Sequence, residues 1–143
     1  MRRCLSLARA AADAGEVPVG SVVVLDEECV GEGRNRCEER RSPLAHAEME
    51  ALAQALSAVG QKRLPQAVLY CSLEPCFMCT GALLHVRVRA IVFGARDPKF
   101  GACRSLASLP DDPRSNHRCP TVEGVLADES AALLRAFFRA RRS

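Results

Sequence analysis

The sequence predicts an α/β protein: a central sheet with helices on both faces, in three α/β/α layers. Three features carry this expectation. Short valine-rich apolar runs recur along the chain, as strands covered by other elements require. Segments with apolar residues at helical spacing separate most of these runs. The first two runs are joined by nothing longer than a polar turn, so the chain opens with a hairpin and then alternates, a pattern that favours a mostly parallel sheet.

Taken in order, Leu5, Ala8 and Ala12 lie on one face of a first helix, with Gly15 as its stop. Val17 to Leu25 is a nearly continuous apolar strand. Asp26-Glu27-Glu28 is a turn, and Cys29 to Gly33 returns beside it. Arg34 to Pro43 reads as a charged loop. Met49, Leu52, Leu56 and Val59 then mark a helix ended by Gly60. Ala67 to Ser72 is a third strand. Pro75 suits the first turn of a helix running to Val86, because a proline there gives up no hydrogen bond. Ala90 to Phe93 is a fourth strand. Arg96 to Arg118 is polar, with one short helix near Ser105 to Leu109. Thr121 to Leu126 is a fifth strand, and the pairs Leu133/Phe137 and Leu134/Phe138 belong to a last helix.

No repeat, linker or low-complexity tract divides residues 1–143, which are read as one domain. The apolar fraction of 48% and charged fraction of 26% are those of ordinary globular chains, and the net charge of +3 permits a nucleic-acid partner without demanding one. The longest uncharged run, Pro75 to Val86, is too short to span a membrane. Arg9 and Asp13 interrupt the apolar stretch that a signal peptide would need after Met1-Arg2-Arg3. The chain is therefore read as cytoplasmic. In a reducing compartment the scattered Cys4, Cys29, Cys37, Cys71, Cys103 and Cys119 read as small buried hydrophobes.

Cys76 and Cys79 differ, because they stand one helical turn apart behind a proline. Two thiolates at this spacing hold Zn²⁺ well. His46 supplies a third ligand. Three protein ligands leave a fourth tetrahedral position for water, the arrangement of a catalytic zinc. Glu48 can then take a proton from that water. Residues two apart in a regular helix point about 200° away from each other. His46 is therefore expected at the cap of its helix and Glu48 in the first turn. A structural zinc knuckle is the alternative, but it wants a fourth protein ligand, and neither His85 nor His117 is expected there.

His-x-Glu followed by Pro-Cys-x-x-Cys is the known signature of zinc nucleobase deaminases. Flanking stretches narrow the resemblance: Glu16-Val17-Pro18-Val19-Gly20, Gly31-Glu32-Gly33-Arg34-Asn35-Arg36, Leu73-Glu74-Pro75-Cys76, Phe93-Gly94-Ala95-Arg96-Asp97-Pro98-Lys99 and Asn116-His117. Over nearly its whole length the chain resembles the bacterial tRNA-specific adenosine deaminases, within the cytidine deaminase-like superfamily. That resemblance implies a five-stranded mixed sheet in the order 2-1-3-4-5, a homodimer, one Zn²⁺ per subunit, and conversion of the wobble adenosine of an arginine tRNA to inosine. It also implies that Asn35 bonds the flipped adenine, and that Asp97 and Lys99 lie on the surface that meets the tRNA anticodon stem-loop.

Plainer readings stand beside these. Asn35 fits a turn after a strand, and Asp97-Pro98-Lys99 a solvated turn. Phe137 and Phe138 read as core. His117 fits a solvated loop or an RNA contact. A deaminase of free guanine or of deoxycytidylate shares the zinc motif. A non-catalytic zinc-stabilised partner subunit would have no need of Glu48.

Overall fold

A computed structural model describes residues 1–142. The chain opens with α1 (Arg2–Asp13), followed by β1 (Gly20–Leu25) and β2 (Glu28–Arg34). Next come α2 (Cys37–Arg40), α3 (Ala47–Val59), β3 (Val68–Leu73), α4 (Phe77–Val86) and β4 (Ala90–Ala95). A 3₁₀ turn at Leu109–Asp111, β5 (Thr121–Val122) and α5 (Ala127–Arg142) complete it. The five strands form one sheet in the order β2-β1-β3-β4-β5. Helices α1 and α5 pack together on one face, and α3 and α4 cover the other.

The sheet is mixed rather than mostly parallel. β1 is antiparallel to both β2 and β3, whereas β3, β4 and β5 run parallel. The cause is the hairpin. Its second strand, β2, feeds the crossover through α3, so β3 runs parallel to β2 but must pair with β1, which already lies beside it. The hairpin tip places Asp26 and Glu27 at positive φ, as a tight two-residue connection requires.

Several sequence expectations are corrected by local hydrogen bonding. The apolar run from Val17 does not enter the sheet until Gly20. Pro18 has no N–H, and Val19 N–H donates to Val17 O at 2.9 Å, which turns the chain before the strand. β5 ends at Val122 because Gly124 adopts a positive φ of 86°, although Val125 N–H still donates to Phe93 O. The charged loop from Arg34 contains the short helix α2. No α-helix forms at Ser105 to Leu109; the short helical turn begins only at Leu109 and runs to Asp111, and the N–H groups of Cys103, Arg104 and Ser105 all donate to the Glu74 carboxylate. Pro75 lies one residue before the cap of α4, which is Cys76.

Burial follows the helical periodicity closely on α3. Ala47, Ala51 and Ala55 are fully buried and recur every four residues. They lie against Gly31 and Gly33 of β2, where a Cβ on Gly31 would come within 2.3 Å of Ala51 O. Small residues on both sides let helix and strand backbones touch, and this fixes the height of α3 above the sheet. The cysteine expectation holds for Cys4, Cys71, Cys103 and Cys119, which are buried, but Cys29 is exposed on an edge strand and Cys37 half-buried. Phe138 is also exposed, on the outer side of α5, while Phe137 is half-buried and carries the Arg141 guanidinium 4.6 Å over its ring. Ser130 is buried, and its hydroxyl donates to Ser72 O, tying α5 to β3.

The contact between β2 and α3 gives a direct test. Gly31→Ala should overpack it and cost about 2–3 kcal/mol. Denaturant unfolding should show a lower midpoint with an unchanged slope. An unshifted midpoint would mean that α3 can ride up without loss.

Candidate active site

The site forms where the N-termini of α3 and α4 meet beyond the ends of the strands. His46 is the N-cap of α3, with extended backbone at φ −71° and ψ 154°. Leaving the helical path at that residue lets its imidazole turn back towards Glu48, which sits in the first turn. Cys76 is likewise the N-cap of α4, and its Sγ accepts from Cys79 N–H at 3.5 Å. The positive ends of two helix dipoles thus converge on two thiols and a carboxylate, and favour their anionic forms.

His46 Nδ1 lies 3.6 Å from Cys76 Sγ and 3.4 Å from Cys79 Sγ. Tetrahedral zinc, with bonds of about 2.3 Å to sulfur and 2.0 Å to nitrogen, would set such atoms about 3.5 Å apart. Donor types and spacing therefore fit Zn²⁺. Among the described residues no other group of histidine, cysteine and acidic side chains is so clustered. His85 and His117 lie elsewhere, in a separate basic hollow with Arg63 and Arg87. There His117 Nε2 donates to Val88 O at 2.8 Å.

Hydrogen bonding from Cys79 and from His46 pulls the Cys76 thiol down to about 4, against the opposing effect of burial. Cys79, paired with that thiolate and buried, is pushed up. The hydrogen bond to Cys76 raises His46. Glu48 is only 4% exposed, and burial raises its carboxyl above the ordinary range. A carboxyl shifted in this direction holds its proton more tightly than an exposed one, as a group that both takes and gives a proton requires.

A cavity of about 320 Å³ opens over these groups. His46, Glu48 and Cys76 line it, with Val17 and Val19 as an apolar wall. Asn35 and Asp97 also border it, whereas Lys99 is exposed and does not. Asn35 Oδ1 accepts from Cys37 N–H at 3.1 Å, so the side chain starts the turn into α2 and still borders the cavity. Asp97 Oδ1 accepts from Lys99 N–H and Phe100 N–H, which makes the Asp97 to Lys99 segment an ordered turn. Phe100 stands at the mouth and is 65% exposed.

Two buried carboxylates beside the site, Glu16 and Glu74, stand in stretches that carry the family resemblance, but sequence reasoning gave neither a role. Glu16 accepts from the N–H groups of Glu38 and Glu39 and so holds the start of α2. Glu74 borders the cavity and accepts from four backbone N–H groups and the Ser105 hydroxyl. Burial opposes its ionisation, but these donors outweigh it and hold the carboxyl below the usual range. The sequence signal was an acid inside an apolar stretch immediately before the Pro-Cys pair.

The family model of the MafB19-like deaminases matches residues 1–142. The tRNA-specific adenosine deaminase of Bacillus subtilis is 42% identical over 142 residues, which cover 99% of this chain and 88% of that one. The chain belongs to the MafB19-like deaminases, together with the bacterial tRNA-specific adenosine deaminases. A solved structure from work on A-to-I editing by tRNA:A34 deaminases superposes with a TM-score of 0.90 at 40% identity, covering 94% of this chain and 97% of the other. A guanine deaminase from Nitrosomonas europaea superposes at 0.78 with 27% identity, covering 95% and 81%. The five-stranded order and the helices on both faces are those of this deaminase fold. The chain is accordingly a hydrolytic deaminase, and the cavity over His46, Glu48, Cys76 and Cys79 is its candidate active site.

Metal analysis of the purified deaminase should return about one Zn²⁺ per chain. Cys79→Ala should bind the ion far more weakly and lose activity with it. Full zinc and full activity in that variant would remove the cluster from consideration.

Proposed function

We propose that this deaminase converts the wobble adenosine at position 34 of a tRNA, an arginine tRNA, to inosine. The proposal includes one Zn²⁺ per subunit on His46, Cys76 and Cys79, Glu48 as the catalytic acid–base, and residues 1–143 acting as one domain. The observation that carries it is Glu48, a carboxyl buried at the cavity wall beside the three candidate ligands. When bound, Zn²⁺ supplies the Lewis acidity that brings a water's pKa towards neutrality.

Glu48 then does the proton work. Its carboxylate oxygen takes a proton from the attacking water as the oxygen bonds to C6 of adenine. It gives that proton to ring N1, takes the second proton from the same oxygen, and delivers it to the leaving amine. The C6–N bond breaks, ammonia leaves, and inosine remains. Water and adenosine are consumed, and Glu48 returns to its starting state. His46 and Cys76 are fixed at two helix caps and Cys79 in the first turn of α4, so this transfer needs little rearrangement of the chain.

The rim supports a nucleic-acid substrate. Phe100, exposed at the mouth, can stack on an unpaired base, and Asn35 and Asp97 can hydrogen-bond a nucleotide. Lys99 lies exposed two residues beyond Asp97, where it can meet a phosphate of the anticodon stem-loop. The last turn of α5 carries Arg139, Arg141 and Arg142, which can do the same. An anticodon loop is already unpaired, so extruding its base costs less than opening a duplex. Leu44 and Phe77 are exposed apolar side chains close in sequence to His46 and Cys76, and they support a homodimer that covers them. No helix among the described residues is long and apolar enough to cross a membrane, and the reading places the enzyme in the cytoplasm, where tRNA is found.

Glu48→Ala should stay folded, zinc-loaded and able to bind tRNA. Inosine formation should fall about 10²–10⁴-fold or more, since one carboxylate serves several transfers. Activity within tenfold of wild type would overturn the role of Glu48, and loss of zinc would make it a ligand instead.

Affinity for unmodified arginine tRNA should fall steeply between low and physiological salt, with each phosphate contact adding roughly −0.7 to −0.9 to the log–log slope. A flat salt dependence, with deamination of free guanine, would replace the RNA reading with a small-molecule one.

A further inference from the structure

Glu74 is 2% exposed and occupies a concavity made by another part of the chain. Its Oε2 accepts from Cys103 N–H at 3.1 Å, Arg104 N–H at 2.8 Å and Ser105 N–H at 2.9 Å. Its Oε1 accepts from Asp97 N–H at 3.0 Å and from the Ser105 hydroxyl. Three successive N–H groups aimed at one oxygen form an anion-binding nest. Here the anion is built into the chain. Gly101 closes over it, and a Cβ there would stand 2.3 Å from the Glu74 carboxyl carbon and displace the carboxylate from its donors.

The position of this knot gives it a function. Glu74 is two residues before Cys76, and the same segment pairs backbone to backbone with the loop: Cys76 bridges to Gly101, and Ala102 N–H donates to Pro75 O. The loop from Asp97 to Ser105 carries Asp97 and Phe100, which border the mouth of the cavity. One carboxylate therefore holds the rim of the site at both ends, at Asp97 and at Ser105. Its oxygens are fully engaged by these donors, which leaves it no part in proton transfer.

We infer that Glu74 is a positioning residue, whose carboxylate fills the 103–105 nest and thereby sets the pose of the rim that receives the RNA loop. The inference rests on the RNA reading for its kinetic consequence and on geometry alone for its structural one. The zinc-loaded full chain and its Glu74→Ala variant provide the test, with an anticodon stem-loop as substrate and sodium formate as the probe.

In Glu74→Ala, KM for the stem-loop should rise about tenfold or more, the scale of losing hydrogen bonds to a charged group. The kcat should stay within a few-fold, and zinc content should not change. Amide hydrogen exchange at Cys103, Arg104 and Ser105 should accelerate. Formate, entering the vacated nest, should slow that exchange again and lower KM in the variant while leaving wild type unaffected. Ser105→Ala removes one donor, and should raise KM by a smaller factor with zinc retained. It decides the matter if Glu74→Ala fails to fold. A fall in kcat at constant KM, loss of zinc in step with activity, or formate that leaves exchange and KM unmoved would overturn the inference. Unchanged exchange at 103–105 in Glu74→Ala would overturn it whatever the substrate. Failure of wild type to act on any RNA would instead count against the RNA reading, and exchange and formate binding would still judge Glu74.

Discussion

The structure depends on the meeting of two helix N-termini. α3 and α4 start side by side, and the residue that caps each is also a candidate metal ligand, His46 on one and Cys76 on the other. A cap residue is the one place on a helix where backbone can be extended while the next residue is already helical. This is how His46 and Glu48, two apart in sequence, address a common space, and how Cys76 and Cys79 present both sulfurs to it. Sheet order, the small residues beneath α3 and the crossover from β2 all serve to bring these two ends together.

Around this junction the protein uses buried carboxylates in two different ways. Glu48 is desolvated, and its proton is held more tightly. Glu74 is as deeply placed but surrounded by N–H and O–H donors, and its proton is held less tightly. Glu16 resembles Glu74 in spending its oxygens on backbone N–H groups, those at the start of α2. Burial alone therefore does not mark the reactive acid. What distinguishes Glu48 is that burial outweighs the hydrogen bonds it receives, together with its place at the cavity beside His46 and Cys76.

Much of this was legible in the sequence, for identifiable reasons. The cap position of His46 followed from helix geometry, and the pairing of Cys76 with Cys79 from the spacing of a single turn. The strand order came from the family resemblance, whereas alternation alone suggested a more parallel sheet than exists. What escaped depends on contacts distant in sequence. Glu74 meets donors 23 to 31 residues away, and the segment near Ser105 wraps around its carboxylate, with the short helical turn displaced to Leu109–Asp111. The end of β5 turns on a single backbone angle at Gly124. Phe138 follows the expected spacing of a core residue, yet it is 46% exposed, with the Phe137 ring edge-on beside it.

The placement of β1 between β2 and β3 decides how the candidate ligands are gathered. His46 precedes β3 and the two cysteines follow it, Cys76 standing 30 positions after His46. These groups are neighbours only where β3 is paired with β1, a contact between distant segments that local structure alone does not supply. In a small zinc finger the ion gathers an unstructured chain around itself. Here the sheet does the gathering: β3, seated against β1, carries the start of α4 and its two thiols to the start of α3 and its imidazole.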